Sequence, residues 1–179
     1  QLQAAARLIS HAPGKVFIMG HRSSFALATF FHFELNYMRD DVVLCSNAGG
    51  TLSNLISHIS KADVLFVFFK SRYSRLTEQV AQWFSSHGCD IILITDREAN
   101  SLSRLATFQF AAPSEGLSVF DSRGATFAVI ETIINLVSIE LEDKLEERFN
   151  RIEKSARNFQ IYSDWWENET GEKKRNSSK

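Results

Sequence analysis

Two short runs of hydroxyl and cationic side chains in this sequence have the chemistry to hold an anion. The first is Gly20-His21-Arg22-Ser23-Ser24, which directly follows the apolar run Val16-Phe17-Ile18-Met19. The second is Lys70-Ser71-Arg72-Tyr73-Ser74, with Thr77 just beyond, and it directly follows Val64-Leu65-Phe66-Val67-Phe68-Phe69. In both, a buried strand delivers serines to what reads as the start of a helix, where backbone N–H groups lack partners. An arginine in each run adds a planar fork suited to phosphate. Any one of these serines reads equally well as a helix cap, and either run as an ordinary polar turn. Their duplication favours a shared pocket for a small anionic metabolite. Ser46-Asn47-Ala48-Gly49-Gly50 follows another strand and would flank the same crevice.

The pocket needs a sheet whose strand ends lie side by side. Short apolar runs near 15–19, 41–45, 63–69, 90–95 and 107–110 alternate with stretches of helical period. Phe66 to Phe69 and Ile91 to Ile94 are apolar at every position, as in strands covered on both faces. The expected fold is α/β: three layers (αβα) around a five-stranded, all-parallel, flavodoxin-like sheet, because right-handed crossovers leave few other orders. Ligands of such sheets sit at the carboxyl ends of the strands.

The helices carry their own signals. Leu2, Ala5, Leu8 and Ile9 form a first helix closed by Pro13-Gly14. Ser23 or Ser24 is expected to cap the second, whose apolar face is Phe25, Leu27, Ala28, Phe31 and Leu35. Thr51 or Ser53 starts the third. Ser74 caps the fourth, which ends at His87-Gly88 with glycine as the terminating residue. From Ser122 a stripe of Phe127, Ile130, Ile134, Val137, Leu141, Leu145, Phe149 and Ile152 predicts one long C-terminal helix to about Phe159. Such a helix, about 55 Å long at 1.5 Å per residue, outruns a small domain, so its far half is expected to pack on a partner or a second copy. Tyr162, Trp165 and Trp166 then precede a polar tail expected to be disordered, with the tryptophans docked on the body or a neighbouring subunit. The domain is thus expected over 1–160, and the tail over 161–179.

Composition narrows the function. The 179 residues carry a net charge of −1 and an apolar fraction of 44%. No overall basic field draws such a chain to nucleic acid. No apolar run approaches a membrane span, so no membrane partner is expected. Cys45 and Cys89 lack metal-ligand spacing and read as buried, reduced thiols of a cytoplasmic protein. No cofactor is implied. The chain opens on Gln1 rather than Met, and the expectation is that something longer precedes it.

The ordered set of motifs resembles the SIS (sugar isomerase) domain, in the form found in RpiR-type bacterial transcription regulators. The resemblance covers about 4–140. It rests on Gly20…Ser24-x-x-x-Ala28, Asp63 before a buried strand, Ser71-x-x-Ser74, Gly88 before Ile91–Ile94 and Thr95-Asp96, Ser101-Leu102-x-x-Leu105-Ala106, and the helix start Ser122-Arg123-Gly124-Ala125. Arg72-Tyr73-Ser74 looks more like the regulator branch than the isomerase branch. The resemblance implies a phosphosugar-binding domain that dimerises, with DNA bound only by an N-terminal helix-turn-helix domain before Gln1. It places the phosphate-contacting hydroxyls on Ser24, Ser71 and Ser74, with Ser23 close by. Arg22 and Arg72 are departures, standing where that family usually has glycine, and they either replace N–H contacts or crowd the pocket.

Catalysis is less well marked. An aldose–ketose isomerase needs a carboxylate base beside the reacting carbons. Glu34, Glu78, Glu131, His21, His32 and His58 are candidates, each reading more simply as a helix-face or ligand-contact residue. Asp96 reads as a turn residue. No catalytic residue is assigned. The candidate ligand set is His21, Arg22, Ser23, Ser24, Ser46, Ser71, Arg72, Tyr73, Ser74 and Thr77, and the ligand expected is a phosphorylated sugar or sugar acid. An effector-binding regulator domain is favoured over a phosphosugar isomerase or lyase, and over a dimerisation module that has lost its ligand.

Overall fold

A computed structural model describes residues 1–117 and 119–161. The expectations for Tyr162, Trp165, Trp166 and the polar tail lie outside the described residues. Five strands, β1 (Val16–Gly20), β2 (Val42–Cys45), β3 (Val64–Phe69), β4 (Asp90–Thr95) and β5 (Phe108–Ala111), form one parallel sheet in the order β2-β1-β3-β4-β5. Val16 pairs with Val42 on one side and Val64 on the other, which fixes the register at the centre. The order reverses between β1 and β3, and this opens a crevice at their carboxyl ends.

Helices cover both faces because the central strands have no polar side to offer water. Every residue of β1 and β3 is buried. On one face Phe17 meets Phe84 of α4 (Arg75–Ser86) edge-on, ring centres 5.1 Å apart. Met19, Leu65, Val67, Ile91 and Leu93 join them, together with Leu52 of the short α3 (Leu52–Ile56). On the other face Phe31 of α2 (Ser23–Met38) lies 4.3 Å from the Phe66 ring. There α1 (Leu2–His11) and α2 pack against α5 (Gly124–Glu140). Each fully buried phenylalanine contributes about 1.5–3 kcal/mol.

At the amino ends of the strands, Asp63 holds the connections together. Its carboxylate accepts from the N–H groups of Lys15 and Ser60, both at 2.7 Å. Gly14 lies against it, and a Cβ there would stand 2.4 Å from an Asp63 oxygen. Arg39 donates to the carbonyls of Ile9, Ala12 and Gly14, closing the end of α1.

Two helix ends depart from expectation. Neither Ser23 nor Ser24 caps α2: both lie in its first turn, and Arg22 is the residue before it. The backbone itself does the work of a cap. Arg22 turns at φ 56° and ψ −126°, and the Ser24 N–H closes the bend on the His21 carbonyl at 3.0 Å. The C-terminal helical run is present, but as α5 and α6 (Glu142–Asn158), separated at Leu141 (φ −111°, ψ 6°). Leu141 is 7% exposed while Glu142, Asp143 and Lys144 are exposed, and the helix breaks at this buried leucine rather than at Gly or Pro.

Both ends of α4 are as expected, whereas α3 stops at Ile56 and leaves Ile59 outside it. The Ser74 hydroxyl accepts from the Thr77 N–H at 3.3 Å, and Gly88 closes α4 at φ 74°. Contacts group Gln1–Glu142 into one compact unit and the residues from Asp143 into a second. Among the described residues, no single helix is long and apolar enough to cross a membrane.

Candidate functional site

Both serine-bearing loops open into one cavity of about 770 Å³ at the carboxyl ends of β1 and β3. His21, Arg22, Ser23 and Ser24 line it from the first loop; Lys70, Ser71, Arg72, Ser74 and Thr77 line it from the second. The two loops touch: His21 Nδ1 and Ser74 Oγ are hydrogen-bonded at 2.7 Å. Gly20 makes the bend possible, since a Cβ there would sit 2.3 Å from the Ser24 carbonyl oxygen.

Two residues of the expected set lie elsewhere. Tyr73 turns away from the cavity, donates its hydroxyl to Asp96 at 2.8 Å and packs on the Phe69 ring. Burial and the Asp96 carboxylate push its ionisation up. Ser46 follows the edge strand β2 and is not among the lining residues. Asp96 serves as the brace of the second loop, because it also accepts the Ser71 N–H at 2.9 Å. That agrees with its reading as a turn residue.

The structure adds a third wall, which sequence reasoning left out of the site. Val119, Phe120, Asp121 and Arg123, just before α5, line the cavity. Arg123 donates to Ser23 Oγ at 2.8 Å and pairs with Asp121 at 3.5 Å. The helix start at 122–125 was visible in the sequence, but nothing local shows that the chain returns to the first loop there. Lys70, part of the second run, was left out of the candidate ligand set. It is 5% exposed and donates to the Ala112 carbonyl at 2.6 Å and to Thr126 Oγ1 at 2.8 Å. Burial pushes its ammonium pKa down to about 8, with Arg123 acting the same way and Asp96 and Asp121 opposing. A lone lysine at the end of an apolar strand was the available signal.

Three features suit this cavity to an anion. The first turns of α2 and α4 and the chain before α5 all face it. Four cationic side chains line it against one carboxylate, Asp121, among the described residues. Thr77 is 1% exposed, and among the described residues its hydroxyl has no hydrogen-bond partner. Glu34, Glu78, Glu131, His32 and His58 do not line the cavity. Among the described residues no group of three or more His, Cys, Asp or Glu is placed to hold a metal ion.

Arg22 and Arg72 stand at backbone positions where glycine is usual. Arg22 has φ 56° and Arg72 has φ 64°, both in the left-handed region that favours glycine. Both loops therefore retain the bend while carrying a long cationic side chain.

Fold and cavity together define a doubly wound parallel α/β domain with an anion-suited crevice at its switch point. Residues 8–136 match the SIS domain family, and the chain belongs to it. Comparison with curated proteins gave no match. Among solved structures, the sugar isomerase domain of an RpiR transcription factor from Sphaerobacter thermophilus is similar, with a TM-score of 0.79 and 19% identity over 86% of this chain and 85% of that one. The Vibrio vulnificus NanR protein complexed with ManNAc-6P has a TM-score of 0.73 and 14% identity over 88% of this chain and 61% of that one. An Escherichia coli CFT073 protein in complex with A5P has a TM-score of 0.60 and 14% identity over 76% of each chain.

Proposed function

We propose that this domain binds a phosphorylated sugar or sugar acid in the cavity between its two serine loops. In this reading it is the effector-binding and dimerisation domain of a cytoplasmic transcription regulator, spanning 1–160, whose helix-turn-helix DNA-binding domain precedes Gln1. The observation that carries the reading is the meeting of the two loops, joined by His21 and Ser74 at 2.7 Å, over a cavity rich in cations and hydroxyls. The similar folds of an RpiR transcription factor and of NanR with its sugar phosphate support it. Binding is favoured over turnover because the lining carboxylate, Asp121, is paired with Arg123 rather than placed as a free base.

Titration calorimetry with ManNAc-6-phosphate, arabinose 5-phosphate and a panel of other sugar phosphates tests the proposal. We expect at least one to bind without being consumed, and the double variant Ser24→Ala, Ser74→Ala to lose tenfold or more in affinity. Absence of binding across the panel, or unchanged affinity in the double variant, overturns it. Conversion of a bound aldose phosphate to its ketose would make the domain an isomerase instead. Dimerisation is tested separately: sedimentation as a monomer at micromolar concentration rejects it.

A further inference from the structure

The cations of the cavity fall into two kinds. Lys70 and Arg123 are engaged within the protein: Lys70 with Ala112 and Thr126, Arg123 with Ser23 and Asp121. The guanidinium groups of Arg22 and Arg72 have no hydrogen bond or ion pair among the described residues. These same two residues are the ones held at positive φ on their loops. A left-handed non-glycine residue is disfavoured and persists where its surroundings demand it. Here both strained positions line one cavity from two different loops, and both carry a charged fork. A single phosphate at the second loop would already have the Ser71, Ser74 and Thr77 hydroxyls and Arg72. It leaves the Arg22 fork, at the start of α2, without an anion.

We propose that the natural ligand carries two anionic groups, and that it is a phosphorylated sugar acid. Its phosphate lies at the second loop with Arg72, and its carboxylate meets Arg22 at the first. The inference rests on the phosphosugar reading above and narrows it. A carboxylate suits the Arg22 position because a guanidinium fork binds it through two parallel hydrogen bonds. The adjoining N–H groups of the α2 N-terminus favour the same charge.

The test uses matched pairs that differ in oxidation level at C1, a ring-forming aldose in one and an open-chain carboxylate in the other. Glucose 6-phosphate against 6-phosphogluconate, and arabinose 5-phosphate against 5-phosphoarabinonate, are titrated into the full chain by calorimetry. We expect the acid of at least one pair to bind about tenfold or more tighter than its aldose, the value of one charge-assisted contact. Arg22→Gln should abolish that preference, costing the acid at least tenfold more affinity than its aldose phosphate. Arg72→Gln should weaken both members of a pair. Circular dichroism of each variant confirms that it is folded. Equal or tighter binding of the aldoses, or an Arg22→Gln loss of equal size in both members, overturns the two-anion assignment and leaves phosphosugar binding standing. If no member of either pair binds, this assignment falls, and the phosphosugar reading falls with it when the whole sugar phosphate panel also fails to bind.

Discussion

Arg22 illustrates how a single side chain can set stability against binding. Its φ of 56° and ψ of −126° belong to glycine, and a non-glycine residue there carries about 1–3 kcal/mol of strain. Arg22→Gly removes the strain but adds backbone freedom to the unfolded chain. The expected net result is a gain of about 1 kcal/mol in chemical denaturation, accompanied by weaker anion binding. Lys70 gives a second prediction. Its folded pKa, about 8, lies below its ordinary value of 10.5. Below about 8 both folded and unfolded chains hold the proton. Between the two values the unfolded chain holds more of it, so the lysine's contribution to stability rises with pH across that window. The stability of the wild type relative to Lys70→Met should therefore increase from pH 8 to 10.5 in denaturant titrations and be flat below. A constant difference across the window would refute the assignment.

The strands were readable in advance because burial on both faces leaves runs such as Val64–Phe69 with no polar position to blur them. The α4 ends were readable too, since Ser74 and Gly88 are residues whose side chain, or lack of one, does the capping. The α2 start was not, because a left-handed arginine has no sequence signature and the turn is closed by backbone alone. Leu141 was missed for a similar reason: the period continues through it, and only tertiary burial distinguishes it from its neighbours. Most of the candidate site followed from the two loops. Arg123 did not, nor did the part Lys70 plays within the second run, because both depend on contacts from distant parts of the chain. Gly20→Ala tests the junction of β1 and α2. Its new methyl would press on the Ser24 carbonyl at 2.3 Å, and we expect a loss of about 1–3 kcal/mol by denaturant titration. Retention of full stability would show that α2 can move away freely.

Across the molecule, both cysteines are held out of reach of solvent. Burial pushes the Cys45 thiol up to about 12; burial, followed by the Asp63 and Asp90 carboxylates, pushes Cys89 up to about 11. Neither should react with an aromatic disulfide reagent at pH 8 in the native state, and both should react at once in urea. Rapid native labelling would mean that the sheet opens locally. The sheet is also where stability concentrates, since Phe66 is fully buried beneath Phe31. Phe66→Ala should cost about 3–5 kcal/mol, a large share of the stability of an ordinary domain.

Because α2 and α4 lie on opposite sides of the sheet, the His21–Ser74 bond crosses a seam between two layers. A guest seated there would act as a clasp, fastening together helices that the strands otherwise keep apart. Its grip should register on both sides at once, as slower amide hydrogen exchange in the opening turns of each helix. A molecule resting against one wall alone would quiet only one of them.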